Sequence, residues 1–315
     1  IKVELSGSTK ELKNLSQSLE ASNISLDLSS QLLDLHHGLQ DVEVFQEKKQ
    51  YVEAAKTFMR MQKILTKRSD SDLQLLHIYP AIRDTYFLSY GVYLTIVRDI
   101  WDKTVCWSEN DSSKNKNQPI SLTLDCQPQQ IEDLVQALYL VEDLTPSLHL
   151  FCNKLLKNFI LPIIRYSCSV YVEDQKVFNV KIDEEKKPPC YKSTLYNIQL
   201  LLRFLNDHFQ CSIKNQPFMS HISQDIFKTL SEELIKHCIS KTIPNTSEEL
   251  KKFKSVEDDI REFESFLVEI KFISPEELFL SKYIHDVDNL YIDKKCQGLL
   301  SNAREIMKKD LHDSF

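Results

Sequence analysis

Apolar residues recur at helical spacing along most of this chain, and the first such segment is unusually long. From about Ser8 to Lys49, apolar residues follow one another mostly at intervals of three, four or seven positions: Leu12, Leu15, Leu19, Leu26, Leu33, Leu39, Val42 and Phe45. These intervals place side chains on one face of an α-helix. About 40 helical residues would measure roughly 60 Å at 1.5 Å per residue. The pattern predicts an arm or a coiled coil, which Gly38 interrupts.

Two further helical patterns follow the first. One covers Gln50 to Lys67 and carries the small residues Ala54 and Ala55 on its apolar face, where a neighbouring helix can approach closely. The next continues to Trp107, and Pro80 within it is expected to kink the helix or to shift its start.

The chain is predicted to divide at a polar linker. Residues 109–119 are rich in polar and turn-forming residues, so they separate an antiparallel helical arm at 1–108 from a middle helical-bundle domain at 120–315. Within that domain, 121–125 alternates like a short strand, and two alternating stretches at 169–182 predict a β-hairpin. Helices are predicted at about 128–141, 146–166, 193–211, 220–241, 246–272, 275–283 and 286–311. The predicted fold is mostly α: an elongated rod of antiparallel helices and stacked bundles with one small β-hairpin.

Glycine is scarce in this sequence. There are four glycines in 315 residues, where average usage of about 7% would give roughly 22. Glycine supplies backbone conformations with positive φ and allows a backbone to approach a ligand closely. The four are isolated from one another, so neither a P-loop nor a dinucleotide-binding loop can be formed from them. Scarcity of glycine therefore favours long helices and argues against phosphate-binding catalysis.

Charge and cysteine content exclude further classes. The net charge is −7, from 39 basic and 46 acidic residues spread along the chain, so a nucleic-acid-binding stripe is not expected. The eight cysteines form no CxxC pair, which argues against structural zinc and against a disulfide framework. Cys106, Cys152 and Cys238 have apolar neighbours and are predicted to be buried. A reduced, cytoplasmic compartment fits best.

Neither a membrane span nor a leader is predicted. The sequence contains no run of about 18 apolar residues, and its first residues lack the layout of a signal peptide. The sequence also does not begin with methionine, so we interpret it as an internal segment of a longer protein.

Candidate catalytic and metal-binding residues are few. His36 and His37 are adjacent, so on a helix their rings would point about 100° apart rather than at one ion. His149 and Cys152 have a spacing of three, and His237 and Cys238 are neighbours, but no third or fourth ligand lies near either pair. The paired acids Asp258-Asp259 and Glu276-Glu277 are interpreted as solvated helix surface, the latter at a helix start. We predict no catalytic, cofactor-binding or metal residue, although Cys/His catalysis stays open because its partners need not be neighbours in sequence.

Two tryptophans, Trp101 and Trp107, end the third helical pattern. Tryptophan is enriched at the energetic centres of protein interfaces, so the pair could anchor a partner. Core packing where the arm meets the bundle is the favoured interpretation.

These tryptophans, at the end of a helical arm, resemble a feature of the zeste-white-ten family. Other matches follow in the same order, and the resemblance covers nearly the whole chain, with the looser part between Glu109 and Cys211. The matching segments are Glu47-Lys48-Lys49-Gln50-Tyr51-Val52 with the Ala54-Ala55 helix, Leu234-Ile235-Lys236-His237-Cys238 with Ile243-Pro244, Glu262-Phe263-Glu264, Lys294-Lys295-Cys296-Gln297 and Ala303-Arg304.

The resemblance implies a stacked-helix subunit of the kind found in the exocyst and the Dsl vesicle tether. Members are expected to join Rod and Zwilch at kinetochores and spindles in mitosis, where they recruit dynein through its adaptors and sustain the spindle checkpoint. They are also expected to join endoplasmic-reticulum tether subunits and SNAREs, which capture Golgi-derived vesicles in interphase. The resemblance brings no catalytic residue, cofactor or ligand site to this chain. It also implies that the sequence lacks the family's first helices and its C-terminal portion.

Three function classes remain. The first is a non-enzymatic scaffold whose partner surface lies along residues 10–67, either in the kinetochore complex or in an exocyst- or Golgi-type tether. The second is a peripheral membrane-binding module, which the negative charge and the absence of a lysine-rich helix face disfavour. The third is an α-helical enzyme, which would need a thiol and an imidazole within hydrogen-bonding distance in a cleft.

Overall fold

The computed structural model describes residues 2–66, 72–108, 119–125, 127–183, 187–244, 248–249, 253–285 and 287–310. Helices predominate among them, and this confirms the predicted mostly-α class. The chain forms two compact units. The first comprises 1–103 and 133–144, and the second comprises 104–132 and 145–315. Except for Pro119, the predicted linker lies outside the described residues, and the predicted domain division stays a prediction.

The long helices lie close to their predicted positions. The helices are α1 (Lys2–Glu47), α2 (Tyr51–Leu65), α3 (Tyr79–Thr104), α4 (Pro128–Leu140), α5 (Leu144–Leu155), α6 (Leu161–Arg165), α7 (Tyr191–His208), α8 (Phe218–His237), α9 (Lys254–Glu269), α10 (Phe279–Ile284) and α11 (Val287–Asp310). Short 3-10 turns lie at Asp72–Leu75 and Ile239–Thr242. The strands are β1 (Val105–Ser108), β2 (Ile120–Leu124), β3 (Cys168–Glu173), β4 (Val177–Ile182), β5 (Ser212–Ile213) and β6 (Gln216–Pro217).

In the first unit, α2 folds back against the second half of α1. Ala54 and Ala55 are fully buried, as the small side chains predicted. A Cβ atom placed on Gly38 would lie 2.7 Å from Met61 Sδ, far inside van der Waals contact. Gly38, which interrupts the sequence pattern, is therefore the residue that lets α2 approach α1 closely.

An aromatic cluster joins α2 to α3. The Phe58 ring lies 5.8, 5.3 and 5.1 Å from the rings of Tyr86, Tyr90 and Tyr93. Tyr93 donates a hydrogen bond to the Tyr51 carbonyl at 2.8 Å, and burial raises the pKa of Tyr93. Helix α3 begins one residue before Pro80, so the proline marks its start, where it needs no N–H partner.

The turn after α4 is tied to α3 by polar contacts. Arg98 Nε lies 2.7 Å from Asp143 Oδ2, and a second bond joins the Arg98 Nη2 and Asp143 Oδ1 atoms. The Tyr90 hydroxyl donates to the Val141 carbonyl at 3.1 Å. A bidentate guanidinium–carboxylate pair fixes orientation as well as distance, so it holds this turn against α3.

Left-handed turns are made without glycine. Seven described residues have positive φ, and none of them is glycine. Three follow helices, at Lys49, Glu142 and Lys271, with φ of 58°, 60° and 57°. After α1, the Lys49 N–H bonds the Gln46 carbonyl and the Gln50 N–H bonds the Phe45 carbonyl, and the same pair of bonds follows α4 and α9. This is the Schellman arrangement, in which glycine is the usual residue. Lysine and glutamate thus form these helix ends, and the scarcity of glycine does not prevent such turns.

Lys49→Gly is expected to stabilise the first unit. A left-handed conformation costs a non-glycine residue about 1–2 kcal/mol, and glycine avoids this cost. Glycine also loses more backbone entropy on folding, which offsets roughly 0.5–1 kcal/mol of the stabilisation. We expect a rise of up to about 1 kcal/mol in the free energy of unfolding, measured by urea denaturation. Lys48→Gly is the matched control and should destabilise, because Lys48 does not have positive φ. Equal effects of the two changes would contradict this explanation.

The second unit contains a four-stranded antiparallel sheet in the order β1-β2-β4-β3. The predicted hairpin and the predicted strand near 121–125 are both present, as β3–β4 and β2. β1 was not predicted, because Trp107 and the residues before it were assigned to the end of a helix. That assignment is wrong: α3 ends at Thr104, and Val105 pairs with Leu124. The β5–β6 hairpin was not predicted either.

One face of the sheet carries an aromatic and aliphatic row. Trp107, Leu122, Phe178 and Val172 are opposite one another across the four strands. The Phe178 ring lies 5.9 Å from the Phe159 ring and 5.5 Å from the Phe204 ring on α7. This face therefore packs on helices, as an isolated hairpin would require.

The predicted helix at 146–166 is interrupted by one wide, π-helical turn at Leu156–Ile160. Between α5 and α6, the Leu161 N–H bonds the Leu156 carbonyl, five residues earlier. Pro162 has no N–H to donate to the Asn158 carbonyl, so a regular α-helix cannot continue through this point.

Candidate interaction surfaces

The histidine pair on α1 does not form a metal site. His36 and His37 are both exposed, with ring centroids 6.0 Å apart and planes tilted by 44°. The described part of the chain contains no group of three or more His, Cys, Asp and Glu side chains that could hold a metal ion. The absence of a metal site stays a prediction.

α5 and α8 bring His149, Cys152 and Asp225 near one another. His149 Nδ1 lies 3.5 Å from Asp225 Oδ2. Cys152 is buried, as predicted, and its Sγ lies 4.0 Å from the Ile222 carbonyl oxygen. Burial raises the pKa of the Cys152 thiol, and the Asp225 carboxylate raises it further. Because the thiolate is the nucleophile, a thiol held protonated is unsuited to catalysis.

The neighbours His237 and Cys238 have separate partners. His237 Nε2 lies 3.5 Å from Glu233 Oε2, which also accepts a bond from Arg165 Nε at 2.9 Å. Cys238 is buried, as predicted, and burial raises the pKa of its thiol to about 11. In contrast, Cys106 is exposed, so the prediction that it is buried was wrong. It lies on the sheet face opposite the aromatic row, because its neighbours in β1 alternate.

The paired acids make structural contacts. Asp259 accepts a bond from the Tyr191 hydroxyl at 2.8 Å and lies 2.9 Å from Lys192 Nζ, which lowers the pKa of Asp259. Glu277 Oε2 accepts the Ser274 N–H at 3.1 Å. The predicted position of Glu276-Glu277 at a helix start is wrong, because α10 begins later, at Phe279. The pair lies in the turn that leads into α10.

Glu264 is a buried carboxylate that the sequence did not single out for a structural role. It lies on α9 with 1% of its surface exposed. Its Oε1 accepts the Leu280 N–H at 2.7 Å, and its Oε2 accepts the Ser281 N–H at 3.1 Å and the Ser281 hydroxyl. These N–H groups belong to the first turn of α10, where no helical carbonyl is available to them. Glu264 thus caps α10 from a different helix.

The two tryptophans are used in packing. Trp101 is buried within the first unit. Trp107 is half-buried, and its ring lies 5.4 Å from the Phe151 ring and 5.9 Å from the Phe159 ring. These contacts support the core interpretation and not the partner-anchor alternative.

The first unit exposes a row of leucines on α1. We call this set the leucine row; its members are between 54% and 75% exposed: Leu12, Leu15, Leu19, Leu26 and Leu33. The residues that face α2 lie elsewhere on the helix, since Leu35 and Val42 are buried. Leu33 and Leu35 point about 200° apart at 100° per residue. The sequence pattern placed the apolar residues of α1 on one face. The structure divides them between two faces, one packed on α2 and one accessible.

Acidic residues flank the leucine row. Glu20, Asp27 and Asp34 each follow a leucine of the row, and all three are exposed. They recur every seventh residue, as the leucines Leu19, Leu26 and Leu33 do. Leucines at every seventh position keep one side of a helix apolar, and here they supply one of the two apolar positions of a coiled-coil heptad.

Open grooves lie in the second unit. One of about 550 Å³ lies between the β3–β4 turn and α7. Another of about 440 Å³ is lined by β1, β2 and α5 residues, and a third of about 710 Å³ lies beside α8 and the turn after α9. None of the described helices is long and apolar enough to cross a bilayer.

The family model and the individual relatives that match this chain carry the same family name, and the relatives cover nearly all of it. Residues 97–307 match the family model described as "Centromere/kinetochore protein zw10, middle domain". A mouse centromere/kinetochore protein zw10 homologue is 24% identical over 98% of this chain and 43% of its own length. The Drosophila pseudoobscura protein zw10 is 23% identical over 98% of this chain and 46% of its own length. The chain thus spans less than half the length of these curated relatives.

Proposed function

Because this chain belongs to the zw10 family of centromere/kinetochore proteins, we propose that it is a non-enzymatic scaffold module of a kinetochore complex. Its proposed partners are Rod and Zwilch, and its proposed role is to hold them where dynein adaptors and the spindle checkpoint act. In this proposal α1 binds a helix of a partner subunit along the leucine row.

The accessible leucine row is the observation that carries the proposal. Burying a leucine side chain stabilises an association by about 1.5–3 kcal/mol, and five in one row supply most of what a specific helix pair needs. The row also runs on a regular helix, so binding orders leucine side chains but not the backbone that carries them. Its heptad spacing suits another helix better than a flat lipid surface, for which basic flanking residues would be expected.

The flanking acids define the chemistry of the partner. Glu20, Asp27 and Asp34 lie beside the leucine row, one in every two helical turns. The partner helix should therefore carry lysine or arginine at the facing positions. An antiparallel second copy of α1 would bring these acids together and is therefore disfavoured. Such flanking charges set partner choice and association rate more than total affinity.

Replacing Leu19 and Leu26 by aspartate together is expected to abolish partner binding without unfolding the chain. The loss of two buried leucines and the introduction of two desolvated charges should weaken binding by at least about 100-fold. Both side chains are exposed in the free chain, so the helix content measured by circular dichroism should not change. The measurement is co-precipitation of the full-length protein with Rod and Zwilch, together with its kinetochore signal in mitotic cells.

The matched control is Asn14→Asp with Gln17→Asp. These residues are exposed on the same helix but point away from the leucine row, with Asn14 about 200° from Leu12. The control should bind Rod and Zwilch normally. Normal binding of the leucine variant, or equal loss in the control, would remove α1 as the partner surface.

We also propose a role in tethering Golgi-derived vesicles at the endoplasmic reticulum in interphase, which rests on the family resemblance of the sequence. One leucine row accommodates one partner helix, so tether subunits and kinetochore subunits should compete for α1. Affinity purification from mitotic and interphase cells would separate the two roles. Binding of the chain to anionic liposomes would favour the membrane-module alternative instead.

A further inference from the structure

The outward face of α3 carries an accessible apolar patch. Phe87, Leu88 and Val92 are 59%, 74% and 51% exposed. The opposite face of the same helix packs inside the first unit, since Tyr93 and Val97 are buried. Large apolar side chains that are exposed next to one another mark a surface where another protein can bind.

Gly91 lies at the centre of this patch. A Cβ atom placed on Gly91 would have no heavy atom within 4 Å beyond its own helical turn, whereas one placed on Gly38 would collide with Met61. Packing within the chain therefore explains Gly38 but does not explain Gly91. A glycine inside a helix costs about 1 kcal/mol relative to alanine, and it allows another backbone to approach closely. The patch is thus shaped for the close approach of a second helix.

Charged residues are placed symmetrically about Gly91, with opposite signs. Arg83 and Asp84 precede it by eight and seven residues, and Arg98 and Asp99 follow it by seven and eight. All four are exposed. In an antiparallel pair of α3 helices that cross at Gly91, Asp84 of one copy is level with Arg98 of the other, and this happens at both ends. At 100° per residue, each of these two residues points within 20° of the direction of Gly91, toward the crossing helix.

Both residues of this pair keep free atoms for such a contact. Arg98 uses its Nε and Nη2 atoms on Asp143, so its Nη1 hydrogens make no bond among the described residues, and its side chain is 55% exposed. Asp84 is 70% exposed and contacts Arg83 through Oδ1 at 3.2 Å, which leaves its Oδ2 atom without a partner in the described part of the chain. Asp143 therefore orients the Arg98 guanidinium without occupying all of it.

We propose that α3 is a self-association surface, through which two copies of this chain pair antiparallel about a two-fold axis at Gly91. Phe87 and Leu88 of each copy pack beside Gly91 of the other, and Asp84 pairs with Arg98 at each end. A two-fold axis makes an interface self-complementary, so that each contact is made twice. The symmetric order of the charges favours a second copy over a different protein, because an unrelated helix needs no such symmetry on this chain. The surface does not depend on the leucine row of α1.

The test measures self-association of the full chain by sedimentation equilibrium. Leu19→Asp and Leu26→Asp are included throughout, so that the leucine row does not contribute. A single helix pair is smaller than a standard interface, so association should be weak. We expect the average mass to increase from 36.8 kDa toward twice this value between about 1 and 200 μM.

Gly91→Glu tests the centre of the interface. The change places two like charges at the two-fold axis, so it should weaken association at least about tenfold. It should not weaken the fold of the free chain, because the site is open and glutamate favours a helix more than glycine does. Gly298→Glu on α11 is the matched control: its surroundings are equally open, and association should not change.

A charge exchange gives the decisive comparison. Asp84→Arg places two arginines at each end of the pair. The double change Arg98→Asp with Asp143→Arg places two aspartates there, and it reverses the ion pair within the chain instead of removing it. Each protein alone should associate at least about tenfold more weakly than the parent, whereas their equimolar mixture should dimerise as the parent does.

Recovery in the mixture would establish the antiparallel register about Gly91, because that register makes Asp84 level with Arg98. A parent mass that stays at 36.8 kDa up to about 200 μM would overturn the proposal. Unchanged association of Gly91→Glu would also overturn it, as would a mixture that associates no better than its two components.

Discussion

Glu264→Ala is expected to lower the free energy of unfolding of the second unit by about 3–5 kcal/mol, because two backbone N–H groups lose a charged acceptor. The change removes three hydrogen bonds to a buried carboxylate and leaves the Leu280 and Ser281 N–H groups without partners. Each hydrogen bond to a charged group contributes about 1.5–3 kcal/mol to stability, and buried donors that are left unpaired add a further cost. Because the bonds join α9 to α10, their loss should release α10 first.

The two tryptophans allow this effect to be measured within one unit. In a Trp101→Phe background, Trp107 is the sole tryptophan, and it belongs to the second unit. Urea denaturation followed by its fluorescence then reports that unit. Glu264→Gln should lose less, because the amide oxygen still accepts one N–H. Glu262→Ala, exposed on the same helix, should change the unfolding free energy by less than about 0.5 kcal/mol. A loss below about 1 kcal/mol for Glu264→Ala would show that the cap is not important for stability.

Ala54→Trp is expected to disrupt the packing of the first unit. Ala54 is fully buried on α2, and the contact of Gly38 with Met61 shows that no spare space separates α2 from α1. Overpacking by a few methylenes already costs about 1–3 kcal/mol, and an indole is far larger, so we expect more than about 3 kcal/mol. The thermal midpoint of helix content should fall by roughly 6–12 °C.

A control on the same helix distinguishes packing from helix propensity. Gln62→Trp places the same side chain at an exposed position of α2 and should leave the midpoint nearly unchanged. If Ala54→Trp also left it unchanged, α1 and α2 would have to separate more easily than their contacts indicate.

The helices were predictable because their apolar periodicity is local. α2, α4 and the β3–β4 hairpin lie within a few residues of the expected positions, since each pattern is complete within its own segment. β1 was missed because its pairing with β2 depends on residues that are distant in sequence. The wide turn before α6 was missed although Pro162 signals it, because the apolar pattern continues through that point.

The roles of individual side chains were much less predictable. Glu264 caps a helix that begins fifteen residues later in the chain, so no sequence window around it contains its partners. The burial of Cys152 and Cys238 followed from apolar neighbours, whereas Cys106 faces outward because strands alternate. The left-handed turns at Lys49, Glu142 and Lys271 were hidden for another reason: hydrogen bonds at the helix ends outweigh the small backbone cost of a non-glycine residue.

The two faces of α1 have a consequence for how the length of this helix can vary. The second half of α1 is fixed in rotation by its contact with α2. The direction in which the leucine row points therefore depends on the number of residues that separate the row, which ends at Leu33, from the packed face, which begins at Leu35. Inserting one residue there would turn the row by about 100° around the helix axis, whereas inserting seven would return it to within roughly 20° of its first direction. The helix therefore carries an angular phase, and only insertions or deletions that preserve this phase would leave a bound partner on the same side of the molecule.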